Sequence, residues 1–194
     1  MKKRSLLLAA AALTIGGLSA TEFADGITPL LPEGVTINYE QNKHFWGMKT
    51  LTVAGSEEGG YKAFFEAVDA EHGGELWVTD GTPAGTKLVK DINPGVNTSN
   101  VSYLTRFNDK VVFSADDGEN GQELWISDGT EAGTYMVADI HLLESSNPQG
   151  FCQIDETRFT FFATDLDSES FSESGPQQWL WISDGTEEGP PLLA

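Results

Sequence analysis

The 194-residue chain has one cysteine, Cys152, so no disulfide can close within it, and Cys152 lies too far from the N-terminus to anchor a lipid there. Stability has to come from packing or from bound ions. Basic residues are also scarce: 11 Lys and Arg stand against 30 Asp and Glu, a formal charge of −19. A surface of that sign repels phosphate backbones and anionic headgroups, which argues against nucleic acid and acidic membranes as partners. Familiar catalytic signatures are missing as well. There is no Gly-x-Ser-x-Gly elbow, no His-Glu-x-x-His and no paired Cys-x-x-Cys. The stretch Gly81 to Lys87 resembles a phosphate loop only superficially, because its glycines are one residue too close and its lysine comes one place late. What remains is a turn-rich composition, with 21 Gly, 8 Pro and 39% hydrophobic residues. That excludes disorder as the default and fits one domain or one all-β array.

One long uncharged apolar run exists, Leu6 to Leu18, behind Lys2, Lys3 and Arg4 and ahead of small residues near Ala20. It is too short to span a bilayer. The three-part layout predicts a secretory signal peptide over residues 1–20, and hence a protein that is secreted, periplasmic or at the cell surface without membrane insertion.

The rest of the chain repeats itself. Glu75-Leu76-Trp77-Val78-Thr79-Asp80-Gly81-Thr82 recurs 48 positions on as Glu123-Leu124-Trp125-Ile126-Ser127-Asp128-Gly129-Thr130, counting from Trp77 to Trp125. A third copy, Trp179-Leu180-Trp181-Ile182-Ser183-Asp184-Gly185-Thr186, follows after 56 more, counting from Trp125 to Trp181, with the extra length in one loop. Each unit predicts four short antiparallel strands. In the second they fall at 104–107, 111–115, 123–127 and 135–140, bounded by turn formers. Asp128-Gly129 reads as a tight turn that uses glycine's access to positive φ. Val111, Phe113 and Ala115 alternate with Val112 and Ser114, so both sheet faces carry apolar groups and each needs a neighbour. The predicted fold class is therefore all-β: tandem four-stranded antiparallel blades in a partial β-propeller-like array of about three repeats. A linear β-solenoid is the alternative. Trp77, Trp125 and Trp181 read as wedges between sheets rather than as a shelf for sugars.

The motif Glu-Leu-Trp-x-x-Asp-Gly-Thr-x-x-Gly-Thr resembles the bacterial ELWxxDGT repeat family. The resemblance covers roughly residues 51 to 194 and implies an exported, tandem-repeat, propeller-like protein with no established activity. Two copies fit in full. The third carries Trp179 where Glu belongs, and Gly189-Pro190-Pro191 stands where the fourth strand should start. The Ser-Asp-Gly-Thr turns are also similar to the Asp-box turns of sialidase-type propellers, which implies a structural role for Asp80, Asp128 and Asp184.

Residues 21–50 lie outside the repeats, which divide at about 51–98, 99–145 and 146–194. Val35, Ile37 and Tyr39 alternate with polar residues as an edge strand would, so this segment is expected to cap the first repeat. Propellers typically close with about four to eight blades. Three copies leave an open sheet edge, which invites self-association, and the chain reads either as a repeat fragment or as an array completed by its own kind.

Chemistry has few candidates. His44, His72 and His141 fall at unrelated loop positions and predict no shared site. Two Asn-x-Ser sequons, Asn97-Thr98-Ser99 and Asn100-Val101-Ser102, carry little weight in a bacterial protein. Acidic loops offer calcium ligands at Asp116, Asp117, Glu119, Asp165 and Asp167, although none matches the spacing of a helix-loop-helix site. Asp165 and Asp167 could also act as a glycosidase pair, but no pocket is predicted around them. The expectation is an exported non-enzymatic binding or display module with a protein or carbohydrate partner, calcium-dependent adhesion being a lesser reading.

Overall fold

A computed structural model describes residues 29–37, 51–165 and 178–187. The predicted signal peptide, Tyr39, His44, Asp167 and the fourth strand of the third repeat lie outside the described residues. Eleven strands and no helix are found in the described residues. They are β1 (Thr52–Ser56), β2 (Gly60–Asp69), β3 (Gly73–Thr79), β4 (Lys87–Lys90), β5 (Ser102–Phe107), β6 (Lys110–Asp116), β7 (Gln122–Ser127), β8 (Tyr135–Ala138), β9 (Gln149–Gln153), β10 (Phe159–Ala163) and β11 (Trp179–Ser183). Each repeat makes its own antiparallel meander: β1-β2-β3-β4, β5-β6-β7-β8 and β9-β10-β11. The sheets are not closed on one another.

The alternation along the strands decides how the sheets meet. Ala54, Phe64, Leu76, Val78 and Val89 of the first sheet are buried against Leu104, Val111, Phe113, Ala115 and Trp125 of the second. On its other face the second sheet repeats the arrangement, packing Phe107, Val112, Leu124, Ile126 and Val137 against Phe159, Phe161 and Ala163 of the third, with Phe151 and Trp181 at the margin. Val111, Phe113 and Ala115 thus face one neighbour and Val112 the other, the two-sided burial the sequence predicts. Trp125 and Trp181 are the expected wedges, each turned toward the preceding sheet. Phe107 meets Phe159 edge to face at 4.9 Å, a preferred aromatic geometry.

Backbone hydrogen bonds thread the sheets together at one end. Ser99 donates its N–H to the Gly74 carbonyl at the start of β3 and accepts from the Asp116 N–H at the end of β6. The next linker does the same work: the Asn147 N–H reaches the Gln122 carbonyl, and Ser146 accepts from the Thr164 N–H. The N-terminal segment enters in the equivalent place, where Thr36 and Val68 exchange both backbone bonds as an isolated antiparallel bridge. The edge strand expected over residues 35–39 is a single bridge within the described residues.

Candidate functional site

The polar residues of the motif are the obvious candidates, and the structure bonds those of each turn to one another. The Asp80 carboxylate accepts from both the backbone N–H and the hydroxyl of Thr82, at 2.9 and 2.7 Å. Thr82 Oγ1 accepts from the Gly85 N–H, and Thr86 donates to the Thr82 carbonyl. The second turn repeats this bond for bond with Asp128, Thr130, Gly133 and Thr134. Asp184 and Thr186 begin the third. Hydrogen bonds from Thr82 hold the Asp80 carboxyl below its ordinary range, and those from Thr186 do the same for Asp184. For Asp128, partial burial works the other way and is outweighed by Thr130. One oxygen of each of these aspartates ties its own hairpin.

Two glycines of the motif owe their place to contacts. A Cβ on Gly85 or Gly133 would collide with the carboxylate of Asp80 or Asp128. Gly129 and Gly185 have φ of 85° and 79°, as a tight turn requires. They also abut the preceding sheet, since a Cβ on Gly129 would lie 3.2 Å from the Phe64 ring and one on Gly185 2.8 Å from Ile126 Cδ1. Sequence reasoning found the φ requirement and missed the packing.

It also missed the motif glutamate. Glu75 is fully buried, and its carboxylate accepts from the Ile92 and Asn93 N–H groups just beyond β4 at 3.1 and 3.2 Å. Glu123 is equally buried and takes the Ile140 N–H, the Ser146 N–H and the Ser146 hydroxyl. The glutamate thus locks each fourth strand to the linker that starts the next repeat. Burial pushes Glu75 up to about 7, although bonds from Ser99, Ile92 and Asn93 favour its charged form, and the charge of Asp91 adds to the rise. Burial likewise raises Glu123 above its ordinary range, with Asp139 adding to it. The only signal in the sequence was the recurrence of an acid next to Leu-Trp in a strand buried on both faces.

The acidic loops are more open. Asp116 ends β6 and Asp117 follows it; Asp116 accepts from the Gly118 N–H, and Asp117 from the N–H groups of Glu119 and Asn120 and the Asn120 side chain. Partial burial of Asp117 is outweighed by those bonds, and its carboxyl lies below the ordinary range. Asp165 follows β10 at the corresponding place, while its sequence partner Asp167 lies outside the described residues. Among the described residues no three His, Cys, Asp or Glu side chains gather as a metal cluster. His72 Nδ1 pairs with Asp69 at 2.9 Å, which raises the imidazole. His141 Nδ1 accepts from the Glu144 N–H. The described histidines thus have local partners. No helix of the described residues is long and apolar enough to cross a membrane.

Comparison with protein-family models, with curated proteins and with solved structures found no match.

Proposed function

We propose that this chain is an exported, non-enzymatic β-repeat protein of the ELWxxDGT type, a partial propeller-like array that binds or displays through the loops at one end of its blades. The observation that carries this reading is that the polar residues the repeats share are bonded internally: Asp and Thr within the turn, Glu to the linker. The repeated chemistry builds the scaffold, so the loops that differ between repeats supply any specificity. Those between the second and third strands read Asp69 to His72 and Asp116 to Gly121, polar and dissimilar, and the third is longer. Their acidity suits a partner, protein or carbohydrate, with basic or hydroxyl-rich surface.

Export is tested by expressing the full chain in a bacterial host, fractionating the cells and sequencing the N-terminus of the product. An extracytoplasmic product cut near Ala20 is expected; a full-length cytoplasmic product refutes the assignment. Binding is tested on arrays of surface glycans and peptides. The Asp116→Asn, Glu119→Gln variant should keep its fold and lose its ligand. Substrate turnover by the wild type would overturn the non-enzymatic reading.

A further inference from the structure

The sheet-to-sheet contact is made twice by the same positions, and a third set of those positions faces outward. Ala54 and Phe107 stand opposite Lys62 and Lys110 in their β1–β2 and β5–β6 hairpins, the first directly paired and the second at the hairpin end, and each is buried against the following sheet. In the third sheet the corresponding residue is Ile154, which closes the same hairpin through its N–H to the Arg158 carbonyl. Leu180, paired with Phe162 in β10, takes the place of Leu76 and Leu124. Leu76 and Leu124 are buried, whereas Leu180 is 58% exposed and Ile154 53%. The surface that joins one repeat to the next is present on the third sheet and open.

Its complement is open at the opposite end. Leu104, buried in the second sheet, immediately precedes Thr105, the partner of Val112. Leu51 precedes Thr52, the partner of Phe64, in the same way, and it is 64% exposed. Val53 beside it is exposed too. Trp77 on that face is already buried at 4% exposure, so the free part is the half that carries β1. This is the half that matters, because successive sheets approach through their first strands: β1 touches β5 and β6, and β9 touches the same two.

We infer that a second copy of this chain docks head to tail, its Leu51–Val53 face seated on the Ile154–Leu180 face of the first, continuing the established sheet-to-sheet packing. The partner is identified by continuity: each open face matches a buried face that the chain already pairs with its complement. The contact is apolar between two bodies of charge −19, so salt, which screens their repulsion, strengthens it. A contact of this kind uses two different patches, so it grows into a ring or an open array. It holds whether or not the loops bind a ligand.

Sedimentation velocity tests it, with reductant present so that Cys152 cannot crosslink copies. The wild type should gain mass with concentration, and more so at about 1 M salt than at about 0.1 M. Leu51→Asp and Ile154→Asp alter exposed side chains and should fold, as circular dichroism will show; Val53→Asp and Leu180→Asp replace either one that does not. Each variant alone should sediment as a single chain. Their equimolar mixture should form a dimer and stop there, because one variant keeps the tail face and the other the head face. A wild type that remains a single chain at every concentration overturns the proposal. So does association that survives Leu51→Asp, or a mixture that does not pair.

Discussion

Glu75 makes the most exacting demand on this structure. It is fully buried, yet two donors point at its carboxylate, the Ile92 and Asn93 N–H groups. Loss of water favours the neutral acid and the donors favour the anion; burial wins, and the group titrates near 7 against its ordinary 4.5. In that window the folded state retains a proton that the unfolded chain has released. The stabilisation is therefore complete below 4.5 and is lost as the pH rises to about 7. A difference of that size corresponds to about 3 kcal/mol. Glu75→Gln is neutral throughout, keeps one acceptor and faces the second donor with an amide. It should be less stable than the wild type at pH 4.5, with the gap moving in its favour by about 3 kcal/mol by pH 8. Urea unfolding at stepped pH measures the gap. The Asp groups held low by their turns titrate below this window, and the raised His72 and Glu123 are common to both proteins and cancel. Parallel curves would refute the argument. A gap that widens with pH would show the donors prevailing over burial.

Phe113 is completely buried between the first two sheets, so Phe113→Ala should cost about 3–5 kcal/mol in urea unfolding. Phe162, 44% exposed on the outer face of the third sheet, should cost well under half as much when truncated. Gly133→Ala drives a methyl group into the Asp128 carboxylate and should destabilise by about 1–3 kcal/mol. Combined with Asp128→Ala it should cost less than the two single changes together, a coupling that a double-mutant cycle in thermal unfolding reads directly.

The strands were legible because the repeat displays its own period. Hairpin boundaries expected at 104–107, 111–115 and 123–127 fall within a residue or two of β5, β6 and β7. Two-sided burial could be read from Val111 to Ala115, since alternation with apolar residues on both faces has one physical solution. The fourth strand was expected to run to Ile140 and stops at Ala138. The reason is Glu123, whose carboxylate takes the Ile140 N–H out of the ladder. A long-range bond of this kind leaves no local pattern. The acidic loops were legible as composition and not as geometry. Asp117 looks like a ligand in a list of acids, but its oxygens already accept from its own hairpin.

The third repeat shows what the motif glutamate is for. At that position stands Trp179, paired with Ala163 as Glu123 is with Ala115, and it is 49% exposed. A tryptophan has no oxygen with which to accept the N–H groups that follow a fourth strand, so this repeat lacks the lock that fastens each earlier one to its successor. The turn, by contrast, keeps its Ser183, Asp184 and Thr186 bonds, and Tyr135 of the second sheet donates to the Gly185 carbonyl across the interface. Selection by packing therefore divides the motif in two. Asp and Thr close the turn on itself in every repeat, and Gly129 and Gly185 abut the sheet behind. Glu holds the linker ahead in the first two repeats. The third sheet has kept the first set and lost the second, while retaining apolar side chains on its forward face at Ile154 and Leu180. An apolar face of this kind can receive a neighbouring sheet without the glutamate lock.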